Sequence, residues 1–194
     1  MKEKISNSLT FARQAFTGFV KTGAVMPSSN FLAKRMVKPI KWSENVVIVE
    51  LGAGTGSFTK EIVKHLPKSG RLVVFEINHE FAQKLKKEFV DKRVVIVEDD
   101  ASELPQHLNQ LGINGADYVV SGIPLGNFSR KTKWSILNAV MRGLKEGGLY
   151  IQFQYFLASI LTIRRFFPRL HISYEVRNVP PAFVIVGKKR NKNI

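Results

Sequence analysis

From Val46 onward, short apolar runs alternate with stretches whose apolar residues recur every three or four positions. That alternation is the signature of a parallel sheet covered by helices on both faces. The apolar runs predict seven strands: Val46 to Leu51, Arg71 to Glu76, Arg93 to Glu98, Asp117 to Ser121, Leu149 to Tyr155, His171 to Arg177 and Ala182 to Gly187. Helical periodicity predicts helices over Phe58 to Leu66, His79 to Val90, Glu103 to Leu111 and Thr132 to Leu144, with a more ambiguous apolar and basic stretch from Phe156 to Phe167. Only the turn-forming Asn178-Val179-Pro180-Pro181 separates the last two strands, so they are expected to pair antiparallel. The expected fold is α/β: a Rossmann-like, seven-stranded, mostly parallel sheet with helices on both faces.

The first 45 residues lie ahead of this sheet. Ile5, Leu9, Ala12, Phe16 and Phe19 fall on one helical stripe, with Asn7, Thr10, Gln14 and Lys21 opposite, which predicts an amphipathic helix with a basic excess. Gly23 and Pro27-Ser28-Ser29 break it before a second helical piece, Asn30 to Val37, that Pro39 ends. The expected organisation is a helical extension over residues 1–45, a core over 46–188 and a basic tail over 189–194.

Composition narrows the chemistry. A chain of 194 residues, 44% hydrophobic, fits one domain. It has no cysteine, which removes disulfides, thiol nucleophiles and zinc–thiolate sites, and no metal site is expected. The polar residues among the first positions do not fit a secretion signal, and even Phe153 to Phe167, interrupted by Gln154, Arg164 and Arg165, is too short to span a bilayer. Thirty basic residues against fifteen acidic give a net charge of +15, which favours a polyanionic partner, either nucleic acid or an anionic lipid surface.

The first predicted strand runs through Glu50 and Leu51 into Gly52-Ala53-Gly54-Thr55-Gly56 and then a helix. A strand, a glycine loop and a helix start in that order form a ligand cradle. A dinucleotide fingerprint needs a further glycine three residues after the second; from Gly52 that position is Ser57 and from Gly54 it is Thr59, so the nicotinamide reading fails. The pattern suits S-adenosylmethionine, whose amino-acid end needs no pyrophosphate cradle. Glu76, followed by Ile77, ends the second strand twenty residues after Gly56, where a carboxylate can accept both ribose hydroxyls. Asp100-Ala101, just past the third strand, can take the adenine amino group.

Pro27-Ser28-Ser29 with Phe31-Leu32-Ala33, Glu50 to Gly56, Ser121-Gly122-Ile123-Pro124-Leu125 and Arg177-Asn178-Val179-Pro180-Pro181-Ala182 together resemble the small bacterial phospholipid N-methyltransferases, distant relatives of the rRNA adenine dimethylases. The resemblance implies a class I methyltransferase that carries phosphatidylethanolamine toward phosphatidylcholine at the cytoplasmic face of an anionic phospholipid membrane, as a peripheral protein. It implies cofactor contacts from Ser29, Asn30, Ser121 and Gly122, and substrate contacts from Ile123 and Pro124. Tyr155, at the end of the fifth strand, is a candidate to face the methyl group and steady ammonium products through its ring, or else a core tyrosine. Arg164, Arg165 and Arg177 are candidates for the lipid phosphate, the first two equally well a solvated face.

The alternative acceptor, an adenine in RNA, calls for Asn or Asp and an aromatic residue in the fourth-strand motif; those positions hold Ser121 and Leu125. Nucleic acid is therefore the less expected partner. A further alternative is an inactive fold serving as a membrane or RNA adaptor, against which stand the intact Glu50, Glu76 and glycines.

Overall fold

The computed structural model describes residues 29–190; the expected helix over Met1 to Lys21 and the tail from Asn191 lie outside them. The chain runs through α1 (Asn30–Val37), β1 (Val47–Leu51), α2 (Ser57–His65), β2 (Arg71–Phe75), α3 (His79–Glu88), β3 (Val94–Val97), α4 (Leu104–Gln110), β4 (Ala116–Ser121), α5 (Arg130–Gly143), β5 (Leu144–Gln154), α6 (Ile160–Phe166), β6 (Leu170–Glu175) and β7 (Ala182–Lys188). The strands form one seven-stranded sheet in the order β3-β2-β1-β4-β5-β7-β6. β1 to β5 are parallel, and β7 runs antiparallel to both β5 and β6. This is the expected Rossmann-like arrangement.

Side-chain alternation along β1 divides the core in two. Ile48 faces a cluster with Leu32, Met36, Phe58, Ile62 and Leu85 from α1, α2 and α3. Val49 and Leu51 face Leu104, Leu108, Leu137, Val140 and Ile163 from α4, α5 and α6. Period-two alternation in the strand and a wide apolar stripe on each helix make this geometry inevitable once the sheet forms. Leu32, Ala33, Met36 and Val37 are all buried, so α1 is part of the packed core.

Caps set where several helices begin. Ser29 Oγ accepts the Leu32 N–H at 3.2 Å, Asn78 Oδ1 that of Phe81 at 3.2 Å, and Ser129 Oγ that of Thr132 at 3.2 Å. Two elements differ from expectation. β5 begins at Leu144, where the preceding helix was expected to end, because Gly147 at φ +76° lets the strand bend past an irregularity in its pairing with β4. The stretch after Tyr155 resolves into a 3₁₀ turn, Leu157–Ser159, and the two-turn α6.

The chain moves outward from β1 to β3 and then returns to β4 on the other side of β1. In such sheets the crevice at this switch, at the carboxyl ends of the strands, is where ligands bind.

Candidate active site

Leu51 is level with Phe75 of β2 and with Ser121 of β4, and Ser121 with Gln152 of β5, so the loops that leave these strands meet at one edge. A pocket opens there, lined by Gly52, Glu76, Ile77, Asp100, Ala101, Ile123 and Pro124 from the expected set. Phe75, Asp99, Phe128, Thr132 and Ile136 also line it. Thr132 and Ile136 are one turn apart on α5, a face legible from helical spacing once the helix is known to start beside the β4 loop.

Close backbone approach builds the cradle. Gly52, Gly54 and Gly56 all have positive φ, at +70°, +54° and +80°. The Gly122 N–H donates to the Leu51 carbonyl at 2.7 Å, and a Cβ on Gly122 would stand 2.5 Å from the Gly52 carbonyl oxygen. Only glycine lets the β1 and β4 loops come this near. Ser121 is buried, and its Oγ accepts the Ile123 N–H at 3.3 Å, which holds the β4 loop in its turn.

Glu76 ties the glycine loop to the second strand. Its Oε2 accepts the Gly54 N–H at 2.7 Å and its Oε1 the Asn78 N–H at 2.8 Å. Burial raises its pKa, and those backbone donors partly offset the rise. Glu50 lies deeper and is fully buried, with Oε2 accepting the Thr59 hydroxyl at 2.7 Å and Oε1 without a partner. Burial pushes its pKa up to about 8, and the Glu76 carboxylate adds to that rise while Thr59 opposes it. A glycine-walled cradle flanked by two buried carboxylates, one with an orphaned oxygen, fits a ligand with hydroxyl groups and an ammonium. S-adenosylmethionine has both, and when bound it supplies an electrophilic methyl group.

Asp100 lines the pocket and also caps the 3₁₀ turn Ala101–Glu103, its Oδ1 accepting the Ser102 N–H at 2.8 Å. Its neighbour Asp99 pairs with His107 Nε2 at 2.8 Å.

The remaining expected residues lie outside the pocket lining. Ser29 and Asn30 start α1, and the Ser29 N–H donates to Asn178 Oδ1 at 3.1 Å. Asn178 is buried, and its amide also donates to the Pro180 carbonyl at 2.7 Å. Tyr155, one residue past β5, is half-buried with its ring edge-on to Phe153 at 5.6 Å; burial raises its pKa, and the neighbouring Asn178 side chain opposes the rise. Tyr155 thus joins the Ser29–Asn178 cluster. Arg177 pairs through Nε and Nη2 with both oxygens of Glu175, at 2.8 and 3.0 Å, and its guanidinium lies 4.4 Å from the centre of the Phe31 ring. Its charge is therefore already matched. Arg164 is exposed on α6.

The fold and the cradle at its switch point define an S-adenosylmethionine-dependent methyltransferase. The pattern of the ribosomal RNA adenine dimethylase family matches residues 26–145, and the chain belongs to that family. It is 35% identical over 167 residues to an ornithine lipid N-methyltransferase of Singulisphaera acidiphila, covering 82% of this chain and 84% of that one. It is also 34% identical over 97 residues to the ribosomal RNA small subunit methyltransferase A of Mycoplasma mycoides, covering 48% of this chain but only 34% of that longer protein. Among solved structures, it resembles a Burkholderia thailandensis 1,6-didemethyltoxoflavin N1-methyltransferase bound to S-adenosylhomocysteine, at a TM-score of 0.71 and 13% identity, covering 96% of this chain and 90% of that one. That likeness is one of fold.

Proposed function

We propose that the chain transfers methyl groups from S-adenosylmethionine to the amine of a membrane-lipid headgroup, with phosphatidylethanolamine and its methylated derivatives as the acceptors and phosphatidylcholine as the end product. The β4 loop carries this reading. An enzyme that methylates a flipped adenine needs a ring after the loop proline to stack on the base. Here that residue is Leu125, with no exposed surface and packed in the core. Phe128 does line the pocket, but it stands four residues after the loop proline, Pro124, and not directly after it. The ornithine lipid N-methyltransferase relative supports an amine-bearing lipid in general, and its substrate, by name, is an alternative headgroup.

Bound S-adenosylmethionine would supply the electrophilic methyl group. The acceptor would have to meet it as a neutral amine, each ammonium form giving up one proton to solvent before it is methylated, so that the third product is the quaternary ammonium. Such a transfer depends on alignment, which the Gly52 and Ile123-Pro124 loops provide by fixing both sides of the pocket. The test incubates protein and methyl-labelled cofactor with vesicles containing phosphatidylethanolamine, vesicles containing ornithine lipid, and ribosomal RNA, in separate arms. Label in the phosphatidylethanolamine arm is expected. Label in ornithine lipid alone would move the acceptor to a phosphate-free headgroup, and label in RNA alone would replace this reading with adenine methylation, which the family match favours.

A further inference from the structure

We infer that the turn and helix between β5 and β6, residues Phe156 to Arg165, form a docking surface for an anionic lipid bilayer. This deepens the reading of the acceptor as a membrane lipid by naming a face that would bring the site to it. Phe156 is 79% exposed, Leu161 is 72% exposed, and Leu157 between them is also exposed. Three large apolar side chains within six residues differ from the single exposed hydrophobes scattered over ordinary surfaces. The helix explains their side. Ile163 is fully buried and so is Phe167, one turn on, whereas Leu161, Arg164 and Arg165 stand three and four residues apart on the outward face.

Charge points to the same partner. No acidic residue occurs between Glu146 and Glu175, while Arg164, Arg165, Arg169 and His171 are exposed within that span. Arg165 is also held 5.9 Å from the ring centre of Trp134 on α5, so the basic rim is partly fixed in place. An outward face of phenylalanine and leucine flanked only by cations matches a bilayer interface, where acyl chains take the apolar groups and anionic headgroups the arginines. Of the three exposed apolar side chains only Phe156 has a ring on which a nucleic-acid base could stack, whereas Leu157 and Leu161 are aliphatic and suit acyl chains, which favours lipid over RNA.

Position links the surface to the site. The Leu157–Ser159 turn packs against the Leu125–Asn127 turn, which directly follows the pocket residues Ile123 and Pro124. On the same edge of the sheet, the turn between β6 and β7 exposes Val176 and Val179. Among the described residues no helix is long and apolar enough to cross a membrane, so this surface would lie on the bilayer.

The experiment compares the full chain with Phe156→Ser/Leu161→Ser by co-sedimentation with phosphatidylethanolamine–phosphatidylglycerol vesicles. The variant is expected to lose about tenfold or more in vesicle partitioning. Its melting temperature, cofactor affinity and methylation of detergent-dispersed phosphatidylethanolamine should match the parent. Arg164→Gln/Arg165→Gln should weaken binding to the anionic vesicles and flatten its salt dependence, while leaving binding to phosphatidylcholine vesicles unchanged. Undiminished partitioning of the serine variant would overturn the proposal. So would a large fall in melting temperature with vesicle binding retained, which would mean that another part of the chain covers these side chains, or a loss confined to RNA binding. Failure of the parent to methylate any lipid, dispersed or in vesicles, counts against the acceptor and not the surface, because sedimentation is read without turnover.

Discussion

At the scale of single residues, the two buried carboxylates are expected to behave differently. Glu76 holds the Gly54 and Asn78 amides and is the candidate acceptor for the ribose hydroxyls. Hydrogen bonds to a charged group are worth about 1.5–3 kcal/mol each, so Glu76→Ala should weaken cofactor binding by well over tenfold in calorimetry. Glu76→Gln, which keeps an oxygen for one of these contacts, should fall between. Unchanged affinity in the alanine variant would remove Glu76 from the site. Glu50 offers a pH signature instead. Its ordinary value is 4.5 and its folded value about 8, so the folded chain binds the extra proton between the two. The stability from that proton is fully present below 4.5 and is lost as pH rises through about 8. A cationic ammonium beside Glu50 favours its ionised form, so cofactor affinity should rise as pH approaches 8, and Glu50→Gln should flatten both profiles. A wild-type-like rise in the glutamine variant would place the titrating group elsewhere.

At the scale of elements, α1 is fastened to the turn between β6 and β7. Glu175, buried at the end of β6, is bonded by Arg177 and by Arg35 of α1, and these pairings hold its carboxyl down to about 2. Asn178 adds the bond to Ser29. Asn178→Ala removes an acceptor for a backbone amide and should cost about 1–3 kcal/mol of stability, visible in a denaturant melt. A neutral result would mean that α1 is held by its apolar face alone. This junction marks the limit of what the sequence made legible. The glycine loop, Glu76 and Asp100 are local features read from strand ends and spacing, and the pocket contains them or lies beside them. Ser29 and Asn178 belong to separate motifs that meet across 149 residues, and no periodicity reveals such a meeting. Arg177 suits a lipid phosphate only while its partner is unseen; Glu175, the last residue of β6, stands two residues earlier, and the turn that follows brings the two side chains together. Its place at a strand end likewise makes Tyr155 a candidate to face the pocket, but alternation along β5 sends it with Phe153 toward the α1 side.

At the scale of the whole molecule, the net charge of +15 should make association with any anionic partner fall as salt rises, so salt dependence alone does not separate lipid from RNA. The label-transfer arms do, because they read the product. The seven strands and the antiparallel final pair were legible in the sequence, but the place of β7 between β5 and β6 was not. It follows from burial: Ala182, Val184, Ile185 and Gly187 of β7 are buried, whereas in β6 only Glu175 is. An apolar strand takes the interior position and an amphipathic one the edge. That placement has a consequence for how the chain is made. Synthesis delivers β6 before β7, yet β7 is the sheet neighbour through which β6 joins β5. While the chain is emerging from the ribosome, the strands that carry the cofactor cradle can assemble, but β6 has no strand to lie against until β7 arrives. The cofactor half of the protein can therefore mature first, and the fastening of α1 by Glu175 and Asn178 comes only once β7 has emerged.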